Sequence, residues 1–257
     1  MRERERSLLR RSFYRLEELR FRRFEEHQWR TFAACVVTSR REEELVRLRA
    51  PGVETAVVAN AVDLDFFQPS DSDPRPRTMV FNGVLDYRPN LDAALFLVEG
   101  ILPRIRKRFP DTVLTVVGRG KPADLKRLEQ QGVIATGEVP DIRPFVQSAA
   151  VEVVPIRMGG GTRFKVVEGL AMAKPIVSTT LGCEGIDVEH GRHLLVADTA
   201  AAFADAVVGL FDDPAAGRAL GLAGRELVES RYSWSNAGVL LEELYGRLTT
   251  RPRAGSS

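Results

Sequence analysis

The densest chemistry in the chain lies in the stretch VVPIRMGGGTRFKVVEGLAMAKPIVST, residues 153–179. An apolar strand runs out at Pro155, and three glycines follow at Gly159, Gly160 and Gly161. Thr162, Arg163 and Lys165 then open what reads as a helix. Glycine lets a ligand come close to the backbone, and Thr162 is suited to an N-cap. The free amides of a first helical turn attract phosphate. Arg163 and Lys165 put positive charge at the same end, which suits a diphosphate. The same glycine-rich sequence would also serve as an ordinary flexible turn. Glu168 adds to the pattern. Phe164, Val167, Leu170 and Ala171 mark the packed stripe of the helix, and Glu168, one turn after Phe164, lies on or beside it. A carboxylate there is costly without a partner. A ribose diol, with two hydroxyl donors, is one such partner; a nearby arginine is the other.

Strands and helices alternate around this segment. Short apolar runs at 78–81, 113–117, 133–135, 151–154, 176–178 and 194–196 read as strands. Helical periodicity is expected over 90–108, 123–131, 142–148, 163–173, 200–211, 215–229 and 234–248. The alternation predicts an α/β fold, a parallel sheet flanked by helices, with any ligand at the carboxyl ends of the strands. Upstream, 1–30 reads as a charged helix rich in arginine, most simply a solvated helix with one packed face, alternatively a contact for anionic lipid head groups. A buried strand over 32–38, a capped helix over 40–49 and a strand over 55–59 follow. Residues 70–77, SDSDPRPR, are the best linker candidate, and 249–257 read as a disordered tail.

Of 257 residues, 44% are apolar and 28% charged, and 37 Lys and Arg against 35 Asp and Glu leave a net charge of +2. That balance gives no electrostatic case for nucleic acid. Cys35 and Cys183 are too few for a disulfide framework and lack metal-ligand spacing. No apolar run reaches the length of a membrane span. Residues 1–11 are charged rather than apolar, so no signal peptide is expected there and a cytoplasmic location is the default.

From Val36 to Tyr245 the sequence resembles the family 4 glycosyltransferases, and most of it their C-terminal domain. The resemblance rests on GTRFKVVEGLAMAKPIVST, with a loop, a glutamate on a helix and Lys-Pro-Ile-Val in succession. It rests also on Asn60-Ala61-Val62-Asp63 with Phe67 and Pro69, similar to the family's interdomain segment. VVGRG at 116–120, GEVPDIRPFV at 137–146 and RYSW at 231–234 complete it. The resemblance implies a GT-B fold of two facing Rossmann-like domains. On that basis 1–66 is expected to be a remnant of the N-terminal acceptor domain with the interdomain segment, 67–250 the C-terminal nucleotide-sugar-binding domain, and 251–257 a disordered tail.

The resemblance further implies that Glu168 binds the nucleotide ribose, while Gly160, Gly161 and Thr162 present amides to the diphosphate. Arg119 and the Glu138-Val139 backbone would lie near the base or phosphates. Gly83, Arg88, Arg163 and Lys165 complete the donor set, because the usual Arg and Lys pair is not clear in NGVLDYRPN. The first of the family's two glutamates falls at Gly160 here. The implied activity is transfer of a sugar from a UDP- or GDP-sugar to a glycan or lipid-linked acceptor, with retention, in cell-surface polysaccharide synthesis. No metal and no organic cofactor is expected, the nucleotide sugar being the donor substrate. The alternatives are a non-catalytic nucleotide-sugar-binding module needing a separate acceptor domain, and a nucleotide-sugar epimerase. Expected partners are the donor and the acceptor, then a membrane surface on the inner face or a separate N-terminal domain, and no nucleic acid. His190 and His193 read as structural or solvated loop residues, Cys183 and Glu184 as loop residues beside the site, and Trp234 as an anchor for the last helix.

Overall fold

The computed structural model describes residues 8–250. Its elements run α1 (Leu8–Trp29), β1 (Cys35–Val37), α2 (Arg40–Arg49), β2 (Thr55–Val57), β3 (Arg75–Asn82), α3 (Arg88–Phe96), α4 (Leu102–Arg106), β4 (Val113–Val117), α5 (Pro122–Glu129), β5 (Ile134–Ala135), α6 (Arg143–Ser148), β6 (Ala149–Val154), α7 (Phe164–Ala171), β7 (Ile176–Ser178), β8 (Leu195–Val196), α8 (Ala200–Asp212), α9 (Pro214–Arg231) and α10 (Trp234–Thr250). The fold class is the expected one. Two sheets form, both parallel: β1 with β2, and six strands in the order β5-β4-β3-β6-β7-β8.

That six-strand order grows outward from β3, first to one side through β4 and β5, then to the other through β6, β7 and β8. Consecutive crossovers therefore diverge between β3 and β6, and loops on either side of that point open a crevice at the carboxyl ends of the strands. The central strands are apolar and buried, as a sheet covered on both faces requires: β6 buries five of its six residues, and β3 its last four. Phe81, Met79, Leu97, Ile101 and Phe203 are among the largest side chains sealed in this core.

Helix starts follow the local chemistry. Ser39 caps α2 by accepting from the Glu42 amide at 3.3 Å. Thr199 and Asp213 do the same for α8 and α9. The helix expected over 90–108 is split by a π-helical segment, Leu97–Ile101, before α4. Pro103, the second residue of α4, lacks the N–H that the Glu99 carbonyl would take in a regular helix, and the wider turn before it absorbs that loss.

The chain forms two compact units, Val62–Ser233 and a unit built from the segments on either side of it. The expected division at 66/67 thus moves to 61/62, and α10, expected with the second domain, clusters with the first segment. The reason is local. Val62 and Ser233 form a parallel bridge and the Val62 amide donates to the Tyr232 carbonyl at 2.8 Å, so the chain enters and leaves the larger unit at one place. The segment 70–77 is no interdomain linker: it lies inside the larger unit, and its last three residues begin β3. There the Arg77 guanidinium pairs with Asp111 at 2.9 Å and stacks on Phe109. Trp234 is 66% exposed rather than an anchor. Of α1's apolar residues, Phe13, Phe21 and Phe24 are about 60% exposed, so the single packed face expected of it is not formed by these three. Thr249 and Thr250 belong to α10, and the rest of the expected tail, 251–257, lies outside the described residues, as does part of the charged segment 1–11.

Candidate functional site

A cavity of about 500 Å³ opens at the carboxyl edge of the six-stranded sheet, between the loops after β3, β4 and β6 and the start of α7. It sits where the strand order diverges, and its size is that of an ordinary small-molecule site.

Its floor is two crossing backbone turns. The Gly83 amide donates to the Val117 carbonyl at 2.8 Å, and the Gly118 amide to the Gly137 carbonyl at 3.0 Å. Gly118 has φ +141°, and a Cβ there would stand 2.2 Å from the Gly83 carbonyl oxygen. Gly83 has φ +155°, and a Cβ there would stand 2.7 Å from the Lys165 amine. Neither turn can be made by a residue with a side chain without moving its neighbour.

Above this floor Lys165 reaches back from α7. Its amine donates to the Asn82 carbonyl and, at 3.2 Å, to Asn90 Oδ1, and lies 4.3 Å from the centre of the Phe81 ring. Burial pushes its pKa down to about 8, with the nearby Glu152 carboxyl acting the other way. Asn90 is fixed in turn, its amide nitrogen donating to the Val84 carbonyl at 2.9 Å. Arg163, immediately before α7, donates one N–H to the Gly160 carbonyl at 2.6 Å. Its Nε and Nη2 are enclosed and have no acceptor, and Asn82 Oδ1 is likewise buried without a donor. Buried donors left unpaired carry a large desolvation cost, so the arrangement favours an anionic ligand that brings acceptors. The first amides of α7, which have no acceptor within the helix, lie at the same end.

Glu168 lines the cavity one turn along α7 from Lys165. It is partly buried and makes no hydrogen bond or ion pair with another side chain among the described residues. Burial raises its pKa, and the field of Lys165 partly offsets that. The alternative of an arginine partner is not what the structure forms.

Of the sequence-predicted residues, Gly83, Arg119, Val139, Thr162, Arg163, Lys165 and Glu168 all line the cavity, as does Glu138. Arg119 is largely exposed, its Nε 3.4 Å from Asp86; Val139 packs on the core around Val80 and Val117. Arg88 does not line the cavity; as the first residue of α3 it points to solvent. Gly160 and Gly161 also stand outside the lining, in open space. Thr162 is not the N-cap: that place falls to Arg163, with no side-chain cap bond. The extended conformation of Arg163 starts the helix one residue later, and Thr162 lines the cavity instead. Phe164, expected in the packed stripe, is 51% exposed at the cavity mouth. Sequence reasoning missed Asn82, Tyr87, Pro89, Asn90 and Ile156. Asn82 alone left a signal, a polar residue and a glycine ending an apolar strand.

The remaining candidates stay outside. His190 Nδ1 accepts from the Val196 amide at 2.8 Å and His193 Nδ1 from the Glu189 amide at 3.0 Å; both fasten the loop before β8. Cys183 is buried with its Sγ near the Thr179 carbonyl, and neither it nor Glu184 lines the cavity.

A family model described as glycosyl transferases group 1 matches residues 76–213. The chain is 29% identical over 213 residues to a phosphatidyl-myo-inositol mannosyltransferase of Mycolicibacterium smegmatis, covering 77% of this chain and 53% of that protein. It is 26% identical over 218 residues to a glycogen synthase of Mycobacterium tuberculosis, covering 79% and 51%. The chain thus spans about half the length of these curated relatives. Among solved structures it is similar to Anabaena HepE, whose crystal structure holds UDP and glucose, with a TM-score of 0.66 at 15% identity over 85% of this chain and 63% of that one. No helix among the described residues is long and apolar enough to cross a membrane.

Proposed function

This chain belongs to the glycosyl transferase group 1 family, and from that premise we propose that its cavity binds a UDP- or GDP-linked sugar and supports transfer of that sugar to a glycan or lipid-linked acceptor. The observation that carries the reading is one helix start. Arg163 holds two enclosed nitrogens, Nε and Nη2, whose N–H groups have no acceptor, Lys165 stands beside it, and Glu168 lies unpaired one turn on, all in one cavity. A nucleoside diphosphate offers phosphate oxygens to Arg163, Lys165 and the first amides of α7, and a ribose diol to Glu168.

In this reading the charge that develops on the departing diphosphate is met by Arg163, Lys165 and the α7 amides, fixed in place before the reaction. The HepE structure, solved with UDP and glucose, supports the donor class. Retention of anomeric configuration and a role in cell-surface polysaccharide synthesis belong to the same proposal and follow the family resemblance; a cytoplasmic location, peripheral to the inner membrane face, belongs to it too and follows the charged, arginine-rich segment 1–30. A second reading, a nucleotide-sugar-binding module that works with a separate acceptor domain, is favoured by the cavity itself: every residue that lines it belongs to the unit Val62–Ser233.

UDP or GDP is expected to raise the melting temperature. Ligand at a hundred times its Kd stabilises the folded state by about 2.7 kcal/mol, or roughly 5–10 °C for a chain of this size. Differential scanning fluorimetry with both nucleotides measures it; no shift with either at millimolar concentration overturns the donor-site assignment.

A further inference from the structure

Glu152 occupies the middle of β6, with Val80 of β3 and Ile176 of β7 beside it in register. It is 1% exposed, and neither carboxyl oxygen has a hydrogen-bond partner. Gly169 of α7 covers it so closely that a Cβ at that position would stand 1.8 Å from Glu152 Oε2. Glycine inside a helix costs about 1 kcal/mol relative to alanine, and here it makes the room that the acid fills.

The charged groups whose fields reach Glu152 are Lys165 and Glu168 of α7, both lining the cavity, and Lys174 of the turn after α7. Both cations are engaged elsewhere: Lys165 by Asn82 and Asn90, Lys174 by the Gln147 carbonyl at 2.9 Å. With no donor to hold a carboxylate, burial pushes the Glu152 pKa up to about 8. The same burial brings Lys165 and Lys174 down to about 8. A protonated Glu152 leaves the positive field of Arg163 and Lys165 intact at the helix start. An ionised one would set a negative charge behind the place where an anion must sit.

We propose that Glu152 is a positioning residue that holds a proton beneath the cavity, and that nucleotide diphosphate binding is coupled to proton uptake at its carboxyl. The proposal rests on the nucleotide reading of the cavity. Lys165 also gains proton affinity when an anion binds, so the wild type draws on two groups and a variant without the Glu152 carboxyl on one.

The test is titration calorimetry of UDP and of GDP at pH 7, 8 and 9, each in two buffers of different ionisation enthalpy, which counts the protons taken up. Glu152→Gln keeps the shape of the protonated acid. It should take up fewer protons than the wild type at pH 8 and bind about tenfold more tightly than the wild type at pH 9, where about nine-tenths of a group with a pKa near 8 is ionised. Glu152→Leu, which needs no hydrogen bond in its apolar surroundings, should show the same reduced uptake and keeps the test open if the glutamine variant does not fold. Equal uptake and equal pH dependence in wild type and both variants overturn the proposal while the nucleotide site stands. Absence of binding by the wild type at pH 7 overturns the nucleotide reading and this proposal together.

Discussion

The variant Glu168→Ala is expected to show no rise in melting temperature with UDP or GDP, while melting at or above the temperature of the unliganded wild type. The two halves of this outcome have separate causes. A carboxylate accepting from both hydroxyls of a ribose makes two charge-assisted hydrogen bonds, each contributing about 1.5–3 kcal/mol. Losing both weakens binding at least about a hundredfold, enough to erase a shift measured near a hundred times the Kd. The fold, by contrast, gives nothing up. Glu168 has no side-chain partner to lose, and burial raises its pKa above that of a free carboxylate. A carboxyl whose folded pKa exceeds its unfolded value weakens the native state as pH rises through the unfolded value, so at neutral pH the wild type carries that cost. Alanine removes it and is the better helix former. Scanning fluorimetry with and without nucleotide reads both effects. A variant that binds as the wild type does would make Glu168 a structural carboxylate; one that melts far lower would mean that it holds α7 in place.

Gly118→Ala is expected to lower stability by about 3–5 kcal/mol and to take nucleotide binding with it. The added methyl would stand 2.2 Å from the Gly83 carbonyl oxygen, in a backbone conformation of φ +141°. Forcing a side chain into such a conformation costs about 1–3 kcal/mol, and overpacking against a neighbour that cannot retreat costs a similar amount. Gly83 cannot retreat freely, because its amide is bonded to the Val117 carbonyl at 2.8 Å and its other side faces the Lys165 amine. Set against the roughly 5–15 kcal/mol of a whole domain, the loss would appear as a clear fall in the urea midpoint. A change below about 1 kcal/mol would show that the turns after β3 and β4 yield easily and do not hold the cavity floor rigid.

Features that depend on neighbours along the chain were legible in the sequence. The strand and helix bounds of α2, β4 and β7 agree to the residue with the apolar runs and the Ser39 cap, because periodicity and capping act over a few residues. Glu168 could be found the same way, since a carboxylate one turn after Phe164 on a half-apolar helix is a local anomaly. The errors fall where local pattern gives way to packing. The composition of 70–77 reads as a linker, yet Arg75–Arg77 are drawn into β3. Thr162 has the chemistry of a cap, yet the glycines before it turn the chain so that Arg163 takes that place. Arg88 has the right charge but is carried to solvent by α3.

The order and spacing of residues determined that this chain makes a parallel α/β sheet and that a glycine-rich, basic helix start, with an acid one turn on, follows one of its strands. Only the tertiary structure decided what meets that helix start. Lys165 finds Asn82 and Asn90 across 83 and 75 residues of sequence, and Glu152 becomes an acid without a donor because Gly169 closes over it. Local preferences say which face of each element is apolar; strand order says which faces are brought together, and it is fixed by burying the central strands β3, β4, β6 and β7 together.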